Sequence, residues 1–200
     1  MENKLNTRRL AESAIFIAVA TVLSIIKIDV PLGGGLTVLS MLPIILLSHR
    51  WGWKWGTLCA FAYSLIQLLL GLDNVGYAAE IGPGFVPVII FLDYVIPYTV
   101  LGLSGLAEKP FGKTCKAVVI GIIVTFTLRF LCHYITGVWV WKAWMPEDYM
   151  GMVMTSPWIY SLLFNGWYML AETVIHIIVV MMTYPQFSKY FRREDLANLA

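Results

Sequence analysis

Apolar residues run along the chain in long stretches, near 10–28, 53–72, 84–106, 116–136 and 157–184, with a shorter one at 36–48. A helix needs about 20 apolar residues to cross the hydrocarbon core of a bilayer, so five of these stretches predict membrane spans. The sixth holds Pro43 and reads either as a kinked short span or as a re-entrant piece, which a bilayer tolerates only where freed backbone groups are buried in protein or face water. Charge chooses the count. With six spans both termini lie on one side, which receives 11 of the 14 Lys and Arg (from Lys4, Arg8 and Arg9 to Lys189, Arg192 and Arg193); the other side keeps only Lys27 and Lys142, and Arg129 lies inside a span. Positive charge concentrates on the cytoplasmic face, and five spans break the segregation. The predicted fold is an all-α integral membrane protein: one domain over residues 1–200, six transmembrane helices with a short second span, both termini cytoplasmic, in the plasma membrane. The apolar stretch after Arg9 runs on past signal-peptide length with no small-x-small cleavage site, so the first helix is expected to stay.

Composition agrees. Hydrophobic residues make up 59% of the chain and charged residues 13%, and the mean hydropathy is +0.76. A soluble domain has about 25% charged residues, so there is too little charge to coat a water-facing surface. A net charge of +2 gives no footprint for nucleic acid. Cys59, Cys115 and Cys132 sit in or beside apolar runs without CxxC or Cys/His spacing, which predicts reduced packing residues and no metal. Trp51, Trp53 and Trp55 read as an interfacial belt. Trp139, Trp141, Trp144 and Trp158 read either as the opposite belt or as part of a ligand platform.

Ionisable groups inside spans are costly and by default mark a site or a pair. At 1.5 Å per residue, Asp93 lies about 13 Å below the outer surface, Arg129 about 10 Å, His133 about 5 Å and Asn165 about 12 Å, with Glu172 well below them at about 22 Å. Arg129 and His133, four apart, share a helix face. Arg129 is either a structural partner of Asp93 at matching depth or leaves that carboxylate to a ligand. His133 is either a neutral interhelical histidine or a ligand contact beside Trp141 and Tyr160. His49 reads as a loop residue and His176 as packing. One carboxylate, a histidine, an amide, the tyrosines Tyr63, Tyr94 and Tyr160, and aromatic faces that bind flat rings and cations suit a small heteroaromatic cation. Catalysis fits poorly: Cys132 points about 100° away from His133 on the helix, no nucleophile pattern surrounds the histidine, and no GxxxxGK[ST] stretch is present for ATP.

The segments Pro31 to Gly56, Leu92 to Leu106, and above all LRFLCHYITGVWVW with PWIYSLLFNGWYML (Leu128 to Trp141, Pro157 to Leu170) resemble the thiamine-specific S-component of energy-coupling factor transporters, over residues 10 to 185. The resemblance implies a six-helix membrane subunit that captures thiamine from outside and releases it inward with a transmembrane coupling subunit and two cytoplasmic ATPases, without a cofactor. It assigns ligand contact to His133, Trp141, Tyr160, Asn165, Asp93 and Tyr94. Some members carry glutamate at Asp93, tryptophan at Tyr63 and tryptophan at Gly35, so the stacking face of the first outer loop is either missing here or supplied by another aromatic. The run Gly33-Gly34-Gly35 is a flexible connector or, by resemblance, part of a loop that closes over the ligand. Ala14 and Ala18 form a small-xxx-small pair that by resemblance docks the coupling subunit. Readings of other kinds are an S-component for another vitamin, a polytopic membrane enzyme, or a purely structural subunit.

Overall fold

The computed structural model describes residues 2–29 and 34–195. Of the features above, Pro31, Leu32, Gly33, the side chain of Lys4, and residues 1 and 196–200 of the domain lie outside the described residues.

Among the described residues seven helices carry the fold: α1 (Glu2–Ile25), α2 (Leu42–Trp51), α3 (Trp53–Leu70), α4 (Leu72–Ile81), α5 (Phe85–Phe111, which turns 3-10 over Val100–Ala107), α6 (Cys115–Trp139) and α7 (Pro157–Phe191). Two small antiparallel hairpins join them. Strand β1 (Lys27–Asp29) pairs with β2 (Gly35–Thr37), and β3 (Asp148–Tyr149) with β4 (Met152–Val153).

Helices α5, α6 and α7 are long and apolar enough to cross a membrane. A fourth span is added if α3 and α4, bent by 64°, count as one broken element. Their outward faces carry large apolar side chains such as Phe91, Ile123, Leu170 and Met182, the pattern of a surface that meets lipid. Threonines within the helices return their hydroxyls to carbonyls one turn back, as Thr125 does to Gly121 and Thr173 to Met169, which satisfies polar groups where no water reaches.

Pro43 does not kink the short second stretch. Pro43 sits in the first turn of α2, where a missing N–H costs nothing. The ten residues of α2 reach about 15 Å, half a bilayer core. Ile44, Ile45, Leu47, Ser48, His49 and Arg50 are all buried, so α2 is enclosed by the other helices. His49 is therefore no loop residue: the helix runs on to Trp51, and its Nδ1 lies 3.0 Å from Glu108 Oε1. His176 packs on the ring of Phe126.

At the end where α1 begins, Arg50 joins three helices. Its guanidinium donates to Glu12 of α1 at 2.7 and 3.0 Å, to Asp195 beyond α7 at 2.9 and 2.8 Å, and to the Tyr190 carbonyl at 2.7 Å. Trp51 also donates to Glu12, and Trp55 donates to Ser13. Two of the three tryptophans Trp51, Trp53 and Trp55 thus fasten α1 to its neighbours.

The opposite end is built differently. The bend between α3 and α4 falls at Gly71, whose carbonyl accepts from the Tyr94 hydroxyl at 3.0 Å. A Cβ there would run into the Tyr94 ring, so the bend requires glycine. Helix α5 holds a π-helical stretch, Ile90–Val95, where Ile96 N–H donates to Phe91 five residues back. Pro97 explains it: proline has no N–H for the Asp93 carbonyl, and its ring crowds that carbonyl.

Candidate functional site

At the end away from Arg50 a cavity of about 620 Å³ opens among α1, α3, α5, α6, α7 and the β1–β2 hairpin, a size that suits a small organic ligand. Asp93, on the π-helical turn, is its organising group. Oδ1 accepts from the Thr136 hydroxyl and from His133 Nδ1 at 3.0 Å, and Oδ2 accepts from the Trp141 indole N–H at 2.8 Å. In the neutral imidazole a carboxylate on Nδ1 places the proton there, which leaves Nε2 as an acceptor. That atom is buried and has no partner among the described residues.

Of the two alternatives for Arg129, the pair with Asp93 is not formed: its ion pair goes to Glu172, with Nη1 2.8 Å from Oε2. The contact of Ser161 with the Tyr134 carbonyl fixes the register of α6 against α7. From that level the two backbone positions are about 9 Å apart along the axis. Side chains lean toward the start of their own helix. The antiparallel helices therefore tilt Arg129 toward Glu172 and away from Asp93, and backbone depth alone misassigns the partner.

The remaining predicted residues divide. Tyr160 lies in the cavity wall, its ring against Tyr149 and Phe164 at 5.3 and 5.6 Å. Asn165 is also in the wall, but its amide nitrogen donates to Ser161 and to the His133 carbonyl, while its oxygen accepts from Tyr168 at 3.1 Å. Tyr94 lines the cavity with its hydroxyl held between Gly71 and Asn74. Tyr63 lies elsewhere: fully buried in the core, it meets Tyr98 edge to face and is not among the cavity residues. Gly35 lines the cavity, whose walls also include the aromatic rings of Trp144 and Tyr168. Ala14 and Ala18 share the exposed face of α1 with Ile15 and Val19.

Tyr98, Thr136 and Tyr168 were not among the expected site residues, yet all three line the cavity. A signal existed for Tyr168, since Tyr160, Phe164 and Tyr168 recur every four residues and stack along one face of α7. Thr37, at the rim, donates to Glu172 from both its backbone N–H (3.3 Å) and its hydroxyl (2.7 Å).

The electrostatic balance follows from these partners. Arg129 and Glu172 cancel, Arg129 stacks near Tyr98 at 5.4 Å, and Asp93 is held by donors that are neutral when the imidazole is neutral. Among the described residues no arginine or lysine pairs with Asp93, which stands beside several aromatic faces. Among the described residues no three metal-ligating side chains come together.

The family model described as Thiamine transporter protein (Thia_YuaJ) matches residues 10–192. The chain is 32% identical over 196 residues to "Thiamine transporter ThiT" of Bacillus subtilis, covering 90% of this chain and 94% of that protein. It is 30% identical over 151 residues to the ThiT of Lacticaseibacillus paracasei, covering 70% of this chain and 68% of that one. A solved ThiT structure from Listeria monocytogenes superimposes with a TM-score of 0.70 at 22% identity, covering 93% of this chain and 98% of that chain, a likeness of fold.

Proposed function

The chain belongs to the thiamine transporter protein family, a transport family and not an enzyme family, and on that premise we propose that the cavity around Asp93 is its thiamine site. The observation that carries the proposal is the pairing of Arg129 with Glu172, which leaves the Asp93 carboxylate without an arginine partner and free to face a cationic ligand. A thiazolium supplies that charge. Trp141, whose indole is fixed by Asp93, offers a face to the aminopyrimidine. His133 Nε2, an unpartnered acceptor, suits the exocyclic amine. Tyr160 closes the other side of the slot, and Asn165 holds the α6–α7 wall while keeping an oxygen lone pair toward the ligand. Tyr94 acts through the α3–α4 bend, and Tyr63 supports Tyr98 from the core.

The same reading gives the chain six membrane crossings, with α1 and the buried α2 completing the bundle, and places the Arg50 end in the cytoplasm, where most of the Lys and Arg fall. It makes the chain the substrate-capturing subunit of an energy-coupling factor importer, dependent on a transmembrane coupling subunit and two ATPases. Ala14 and Ala18 on the exposed face of α1 form the small-residue surface for that coupling subunit.

The test is a thiamine titration of intrinsic tryptophan fluorescence on purified protein. Saturable quenching at or below micromolar ligand is expected, and its loss in His133→Ala. Absence of quenching at micromolar thiamine removes the assignment.

A further inference from the structure

The carboxylate of Glu172 is 1% exposed and joins three parts of the molecule. Oε2 receives Arg129 of α6, and Oε1 receives both the N–H and the hydroxyl of Thr37 in β2. The Thr37 hydroxyl also lies 2.7 Å from Ser40 Oγ, so the turn into α2 shares the contact. The segment Gly34–Thr37 forms one wall of the cavity, and Arg129 forms another. Glu172 thus holds a cavity-lining strand with one oxygen and a cavity-lining cation with the other.

The strand has few other supports. Strands β1 and β2 are three residues each and pair only with each other, and an isolated two-stranded hairpin is marginal by itself. Leu36 is buried. Gly34, with φ of +83°, lies flat against the Tyr168 ring, where a Cβ would come within 2.6 Å. Its conformation and its contact both require glycine, but van der Waals contact with a ring face is weakly directional. The hydrogen bonds of Thr37 to a charged acceptor are the directional fastening, and such bonds are roughly twice as strong as neutral ones.

We propose that Glu172 and Thr37 form a clasp that holds the Gly34–Ser40 segment across the cavity, and that this clasp sets how fast the ligand leaves. Glu172 is a positioning residue: it touches strap and arginine, and its effect on ligand passes through them. A ligand leaving past β2 must wait for the Thr37 bonds to open. The bond to Arg129 keeps the Glu172 carboxylate aimed while they do. This inference rests on the thiamine reading for its ligand but not for its geometry.

The test replaces Thr37, because Glu172→Gln would strip Arg129 of its partner inside the bundle. Thr37→Val keeps the β-branched shape and loses the hydroxyl; Thr37→Ser keeps the hydroxyl. Stopped-flow fluorescence should show thiamine leaving Thr37→Val roughly tenfold faster, equivalent to about 1.4 kcal/mol. Association should stay within about twofold of wild type, with the thermal midpoint of the ligand-free protein unchanged and Thr37→Ser near wild type. A lowered midpoint with an unchanged release rate would make the contact a fold staple and overturn the proposal. If wild type binds no thiamine, the ligand assignment fails, and amide exchange of residues 34–40 without ligand decides the clasp. Faster exchange in Thr37→Val supports it, and identical exchange overturns it.

Discussion

Arg50 and Arg129 are both buried in a membrane bundle, at opposite ends, and their surroundings differ in kind. All three guanidinium nitrogens of Arg50 are hydrogen-bonded, to two carboxylates and a carbonyl, and its Cζ lies 3.6 Å from the centre of the Tyr190 ring. Arg129 has one carboxylate on Nη1, and its Nε has no partner among the described residues. The saturated arginine is a fastener, closing α1, α2 and the end of α7 into one unit. The unsaturated one lies in the wall of a cavity beside a carboxylate, Asp93, that it does not neutralise. Buried charge alone does not mark a site. Buried charge left without its full set of partners, next to open volume, does.

Removing the fastener should produce the largest effect. Arg50→Gln leaves Glu12 and Asp195 with only the half-buried Arg8 as their cation and should destabilise the fold by about 3 kcal/mol, read as a lowered thermal midpoint in detergent, with thiamine affinity unchanged in the surviving folded protein. A large loss of affinity at constant stability would erase the distinction between the two ends. At the cavity end, Asp93→Asn should raise the thiamine Kd by more than about tenfold, or 1.4 kcal/mol, by calorimetric titration. A small change there would make Asp93 only a scaffold for His133 and Trp141. Trp141→Phe keeps a ring but loses the N–H to Asp93 and should weaken binding by about 1 kcal/mol, a fivefold change in the same titration.

The smallest effect is one of pH. The hydrogen bonds from Arg50 hold the Asp195 carboxyl below the ordinary carboxylate range, so the folded protein takes up this proton less readily than the unfolded chain. That contribution is fully present above the unfolded value near pH 4 and is lost as pH falls through the depressed folded value. The thermal midpoint should be unaffected by this group between about pH 7 and 5 and should decline below about 4. Asp195→Asn should remove part of the decline, worth less than about 1 kcal/mol for a partly exposed pair.

The long helices were legible because bilayer crossing imposes a length: the stretches 84–106, 116–136 and 157–184 correspond to Phe85–Phe111, Cys115–Trp139 and Pro157–Phe191. Their ends extend further because a helix continues past the apolar core into polar turns that hydropathy ignores. Helix α4 was hidden by its polar sequence, LDNVGYAAEI. The strands were hidden by their three-residue length, and the enclosed α2 by an apolar stretch that did not say whether lipid or protein surrounds it. The gathering of Asp93, His133, Trp141, Tyr160 and Asn165 at one end was legible from depth counting. The partner of Arg129 was not, because helix direction tilts side chains by more than the depth differences being compared. Pro97 was the one local sign of the π-helical turn that carries Asp93.

If thiamine binds at the unsaturated end, its affinity depends on Asp93 and not on the Arg50 unit. Side-by-side thiamine titrations of wild type, Asp93→Asn and the folded fraction of Arg50→Gln separate the two. One site per chain is expected in wild type, with an unchanged Kd for Arg50→Gln and a Kd raised more than about tenfold for Asp93→Asn. Equal affinity in wild type and Asp93→Asn would remove Asp93 from the binding site.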